Sequence, residues 1–247
     1  MAVFSLNCSD FNVEELESFS GKMEDWPFSF ELCGESLHEN RIVDFAKHVP
    51  LSGLVHPFEE SALSMLDQLS IDQYEEFKNS AFIAIENALN EGISFFVIKG
   101  AFNMEMTSAF QDVNKRLVEF FRFLIYSFPQ AEFFLPVSLS SMENSPELYQ
   151  QVFYLHNLIN HPSLKFRLTL PFPYDLSQFN KLDRQLAFKC RQIRLLLPAG
   201  FEKERLFKMI RELKNTNYLG KLVFSADEPS LEAIEQLIDE VSGLYKS

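Results

Sequence analysis

The chain has 247 residues, 47% of them apolar, with 27 phenylalanines against one tryptophan. Phenylalanine buries a large area and carries no polar atom to satisfy, so this composition excludes a disordered chain and supplies a substantial core. Lys and Arg number 22 against 35 Asp and Glu, and the formal charge of -13 repels phosphate backbones and anionic lipid, which argues against nucleic acid and membrane surfaces as partners.

The opening segment MAVFSLNCSDFNVEEL has no basic stretch before its short apolar run, and no window approaches the ~18 consecutive apolar residues of a membrane span. Cys8, Cys33 and Cys190 lie far apart and form no CxxC pair. The expectation is a soluble, cytoplasmic protein with reduced thiols and no zinc or disulfide framework.

In chain order the first predicted strand is AVFSLN (2–7), and Asn12 with Glu15 after it has the spacing of a helix N-cap and its N3 partner. FSFELC (28–33) and SGLVH (52–56) follow as strands. Ser70 and Gln73 repeat the cap spacing before a helix, and ISFFVIK (93–99) is the fourth strand. Val113, Leu117, Phe121, Leu124, Ile125 and Phe128 recur at three- and four-residue intervals, the stripe of an amphipathic helix. EFFLPVS (132–138) is the fifth strand, and Pro146 comes next as a first-turn helical proline would. KFRLTL (165–170), QIRLLL (192–197) and KLVFSA (221–226) complete the strands, with helical stripes at Leu206, Ile210 and Leu213, then at Leu231, Ile234, Leu237, Ile238 and Val241.

Alternating strand and helix implies a parallel sheet with right-handed crossovers. Eight units recurring about every 31 residues predict closure into an α/β (β/α)8 TIM barrel, one domain spanning 1–247. Pro136 and Pro171 lack a backbone donor and are expected at strand ends.

Such barrels carry their chemistry at the C-terminal ends of the strands. The polar residues there are Asn7, Cys8, Glu31, Glu35, His56, Glu59, Lys99 and Asn103, then Ser138, Ser140, Tyr174, Asp175, Ser225 and Asp227. Glu31 stands among apolar residues and needs a cationic partner if buried, which the strand-embedded Arg167 or Arg194 can supply inside the barrel. Lys99 ends the most apolar strand, where a lysine can lose its proton and act as nucleophile or base, or else reach out to solvent. His56 can serve as a general base, or simply bond within the barrel mouth. His38, His48, His156 and His161 fall in helices or at their edges and read as surface residues. PAGFEKE and SADEPSLE hold one glycine between them, so no glycine-rich phosphate loop follows the last two strands. Phe102, Phe172 and Tyr174 are expected to form a stiff apolar rim, and the Phe-rich stretch 113–128 reads either as a homodimer interface or as extra packing.

The segments LVHPFEE, ENALNEG and SFFVIKGAF are similar to the third and fourth units of the xylose isomerase-like TIM barrels, the superfamily of sugar isomerases and epimerases and of endonuclease IV. RELKNTNYLGKLVFSAD resembles the last unit of those barrels. The resemblance implies a metal site built from ligands at the strand ends, with His56 matching the third-strand histidine and Glu31 a second-strand glutamate. At the fourth to eighth strand ends, however, this chain carries Lys99, Pro136, Pro171 with Tyr174, Leu196 and Ser225. A divalent ion needs several converging donors, and one histidine alone gives negligible affinity. Glu143, Asp175, Asp227 and Glu228 lie just beyond strands, and a register shift of two or three residues would bring some of them inward.

The expectation is therefore a degenerate member of that superfamily with no metal and no cofactor. It binds a small molecule or a protein partner at the mouth, with Asn7, Ser138, Tyr174, Asp175 and Asp227 as ligand-binding residues. The alternative is a metal-independent isomerase, epimerase or lyase acting on a sugar or carbonyl compound, with His56, Lys99 and Glu31 or Glu35 transferring protons. An endonuclease reading is disfavoured by the charge and by the missing ligands.

Overall fold

The computed structural model describes residues 4–8, 29–33, 51–58, 68–98, 115–138, 146–174, 189–215 and 220–227, with short pieces at 63, 66, 218, 230, 232–233, 235–237 and 239–240. Eight strands form a closed parallel barrel in sequence order: β1 Phe4–Asn7, β2 Ser29–Cys33, β3 Leu51–Val55, β4 Phe95–Val97, β5 Glu132–Ser138, β6 Leu164–Pro171, β7 Cys190–Leu197 and β8 Lys221–Ala226. Pairing of β1 with β8 closes it. Helices α1 Ile71–Asn90, α2 Lys115–Ser127, α3 Pro146–Ile159 and α4 Lys203–Asn215 follow β3, β4, β5 and β7. This is the (β/α)8 TIM barrel that the alternation predicts. Among the described residues no helix is long and apolar enough to cross a membrane.

Local chemistry sets the helix starts. Ser70 Oγ accepts from the Gln73 backbone at 3.2 Å while Gln73 Oε1 accepts from the Ser70 backbone at 2.9 Å, a complete capping box at the head of α1. Pro146 opens α3, where its missing N–H would have had no helical partner. α1 ends at Glu91, and Gly92 takes φ 82, the left-handed turn that glycine accepts freely.

The barrel has two unlike surfaces. Leu6, Phe30, Leu54, Phe96, Phe133, Phe166, Leu195 and Phe224 face the helices and belong to one large apolar cluster. Inside the barrel the apolar part is small, with Val55, Val97 and Phe134 packed with Phe95, while Ser5, Asn7, Glu31, Arg167, Gln192, Lys221 and Ser225 are all buried. Most of the described phenylalanines thus belong to the cluster between sheet and helices. Part of the apolar stretch 115–128 packs in the same way: Phe120 of α2 lies 5.1 Å from Phe77 of α1 and 5.5 Å from Phe58, and Phe128 lies 4.7 Å from Phe82, ring centre to ring centre, while Tyr126 is exposed.

Pro171 closes β6 as expected, but Pro136 does not end β5; it lies inside the strand, opposite Arg167. The reason is directional. Alternate residues of a strand in a parallel sheet bond to opposite neighbours. Glu132 donates to Ser94 and the Phe134 carbonyl accepts from Ile98, so Pro136, at the same parity, turns its nitrogen toward β4. Val97 opposite Phe134 is the last pair of the β4–β5 ladder, so the missing N–H falls where that ladder ends and costs at most one terminal bond.

Candidate functional site

Glu31 lies midway along β2 with none of its surface exposed. In a closed ring of eight strands β6 stands directly across the lumen from β2, and Arg167 of β6 reaches over to donate from Nη1 to Glu31 Oε2 at 2.7 Å. Lys221 Nζ, at the start of β8, donates to Oε1 at 3.4 Å and to Ser52 Oγ at 2.6 Å. Ser52 in turn donates to the Phe30 carbonyl, and Ser5 donates to that of Ser29. Gly53 pairs with Glu31, and a Cβ there would meet the Phe95 carbonyl at 3.1 Å and Glu31 Cγ at 3.4 Å, so glycine makes room for the carboxylate.

Burial by itself would raise the Glu31 pKa, but the charges and hydrogen bonds of Arg167 and Lys221 outweigh it and hold the carboxyl below its ordinary range. For Lys221 burial prevails over the pull of Glu31, and its pKa falls. The cluster is an ion network that clamps opposite walls of the barrel with its carboxylate ionised.

A second cluster lies nearer the C-terminal ends. Arg194 Nη2 donates to Ser225 Oγ at 2.7 Å, Asn7 Nδ2 approaches the same oxygen at 3.4 Å, and Ser225 donates to the Ala226 carbonyl at 3.3 Å. His56 follows β3 directly and is half-buried; its backbone N–H continues the ladder to Val97 at 3.0 Å, and its φ of 55 is left-handed. Ser138 ends β5 and Tyr174 comes shortly after β6, both half-buried, while Asp227 is exposed and donates its N–H to the Leu197 carbonyl. Glu35, Glu59, Lys99, Asn103, Ser140, Glu143, Asp175 and Glu228 lie outside the described residues, as does Phe102 of the expected rim. Phe172 is buried against Phe201 at 6.0 Å in an edge-to-face contact, so it belongs to the outer core and not to an open rim.

Among the described residues no three His, Cys, Asp or Glu side chains come together. Pro136, Leu196 and Ser225 stand in β5, β7 and β8 and offer hydrocarbon or a single hydroxyl. Among the described residues the donor set does not fit a divalent ion. Cys8, Cys33 and Cys190 are free thiols, and burial pushes Cys190 up to about 12, which leaves it unreactive.

Two further residues depart from the sequence reading. His156 is not a surface residue but is 4% exposed, because it shares the inner face of α3 with Val152, Leu155 and Ile159. Its ring stacks on Phe166 at 4.6 Å. Nε2 donates to the Leu164 carbonyl at 2.9 Å, which leaves Nδ1 to accept from Lys189 Nζ at 3.2 Å. Burial first, and then the Lys189 charge, lower its pKa to about 4 against the opposing pull of Leu164. Lys221, missed as a partner of Glu31, carries one faint signal in the sequence: it shares the parity of Ser225, hence the inward side of β8.

No protein-family model and no curated protein matches the chain. Solved structures do. The 3-keto-D-glucoside 4-epimerase of E. coli superposes with a TM-score of 0.68 at 13% identity, covering 100% of both chains. The D-psicose 3-epimerase of Clostridium cellulolyticum H10, solved with D-tagatose, gives 0.67 at 12% identity over 99% of this chain and 97% of that one. A xylose isomerase domain protein of Planctomyces limnophilus gives 0.58 at 13%, covering 100% of this chain and 96% of that one. Identity this low carries architecture and not activity. The chain has the fold of the xylose isomerase-like (β/α)8 barrels.

Proposed function

We propose that the chain is a degenerate xylose isomerase-like barrel that binds a small ligand at its C-terminal mouth without the metal site that the resemblance implies. The observation that carries this reading is the Asn7, Arg194 and Ser225 cluster in the upper lumen. The resemblance places lone-pair donors for a cation there, whereas this chain places a guanidinium, which repels a divalent ion and attracts hydroxyl, carbonyl or carboxylate oxygens. The two epimerases of similar fold are named for sugar substrates, so a sugar or related carbonyl compound is the first ligand class to test.

Elemental analysis of untagged protein purified without chelator is expected to show substoichiometric zinc, manganese and magnesium, with a Tm indifferent to EDTA. A full equivalent of any of the three overturns the reading. Saturable NMR shifts with D-psicose or D-tagatose that disappear in R194M would support the ligand site.

One observation favours the second reading, a metal-independent isomerase. His56 holds a left-handed backbone at the end of the barrel where chemistry resides. A non-glycine residue held there stores strain, of order 1–3 kcal/mol, and such strain gathers at functional positions. Asparagine tolerates the same backbone. A His56→Asn variant that stays folded yet loses ketose–aldose interconversion would place the proton transfer at His56; the absence of any turnover in the parent chain would dismiss this reading.

A further inference from the structure

A cavity of about 740 Å³ opens at the opposite, N-terminal end of the barrel, walled by the first residues of β3 to β8 and the turn that enters β6. Four cations line it, Lys165, Lys189, Arg191 and Lys221, against one lining carboxylate, Glu132. Glu132 is already paired with Lys165, and Glu31 behind Lys221 is shared with Arg167. A chain of formal charge -13 has thus gathered a local excess of positive charge around one concave surface. Low-dielectric walls focus such a field on whatever enters.

The second observation is Gln192. It is fully buried and lines the cavity, and neither its Nε2 nor its Oε1 has a hydrogen-bond partner. A buried amide left unsatisfied at both ends is rare and costly, and it calls for a polar group from outside the chain. The walls between these polar groups are Phe95, Phe134 and Leu164, which suit a hydrocarbon or ring. The N-terminal end of a barrel ordinarily serves stability alone, and a local excess of cations beside an orphaned amide does not serve stability.

We propose that this N-terminal cavity binds a small organic phosphate, its dianion held by Lys189, Arg191 and Lys221, its polar edge by Gln192 and its apolar body by Phe95, Phe134 and Leu164. A dianion matches an excess of more than one positive charge better than a carboxylate does. The site is separate from the C-terminal mouth and stands whether or not that mouth binds a sugar.

Calorimetric titration with phenyl phosphate at low salt tests it, with benzoate and phenol as comparators. One saturable site is expected for phenyl phosphate, roughly tenfold or more weaker binding of benzoate, and none of phenol. The K189Q/R191Q double variant changes two partly exposed side chains and is expected to fold normally while losing at least about tenfold in affinity. Gln192→Met removes the orphaned amide, so it is expected to raise Tm while weakening phenyl phosphate binding, a pairing that a purely structural glutamine would not produce. Absence of saturable binding, equal binding of phenol, or affinity unmoved by K189Q/R191Q overturns the proposal. So does affinity that depends on Arg194 instead, since that would put the ligand at the other end of the barrel.

Discussion

Arg167 is 2% exposed and Glu31 is fully buried, so neither charge can fall back on water if the other is removed. Arg167→Met leaves Glu31 with Lys221 alone and is expected to cost about 3 kcal/mol in urea unfolding, the low end of the range for breaking a buried pair. The R167M/E31M double variant should recover part of that loss, because the carboxylate is then gone as well. His156 carries the clearest pH signature. Its folded pKa of about 4 lies below the ordinary 6.5, so between those values the unfolded chain binds the extra proton. The stability it contributes is whole above about pH 6.5 and is lost as the pH falls toward 4, about 3 kcal/mol from a shift of that size. His156→Gln keeps a donor for the Leu164 carbonyl and is expected to flatten the stability profile in that window. Glu31, its pKa held low, adds a separate loss that begins as the pH falls through the ordinary carboxylate range and is complete only below its own folded pKa.

At the scale of elements, the helix starts at Ser70 and Pro146 were legible because they are written in neighbouring residues, while the Asn12 to Glu15 cap lies outside the described residues. The Ser70 to Gln73 box spans three positions and forms as the spacing implies. Ser70→Ala is expected to cost about 1 kcal/mol by thermal or urea unfolding, since α1 then loses one of its capped donors. Strand positions were legible from apolar runs, and β5 and β8 fall where the sequence puts them. Pro136 was misjudged because the cost of a missing donor depends on which neighbour it faces. That direction follows from the pairing of β4 with β5, and Pro136 faces the end of that ladder, past its last pair Val97 and Phe134. His156 was misjudged for a related reason: a histidine on a helix is inside or outside according to the face that docks, and the dock is Phe166 on β6.

At the scale of the whole molecule, a formal charge of -13 spread over a compact barrel repels itself. Raising NaCl from low to physiological concentration is expected to raise Tm by a few degrees, as screening relieves that repulsion while leaving the buried Glu31 network little changed. A Tm that falls with added salt would show that surface attractions prevail instead. By itself the sequence determined the number of strands, their order and the closed parallel sheet, because strand period, helix period and crossover handedness are local rules that repeat along the chain. It also identified Glu31 as a buried acid needing a cation, and named Arg167 among the candidates. Only the tertiary structure decided the rest: that Arg167 and Lys221 reach Glu31 while Arg194 turns to Ser225, and that cations from several strands meet at the N-terminal end. Glu31 and Arg167 are 136 residues apart, and ring closure alone, by setting β2 opposite β6, makes them neighbours.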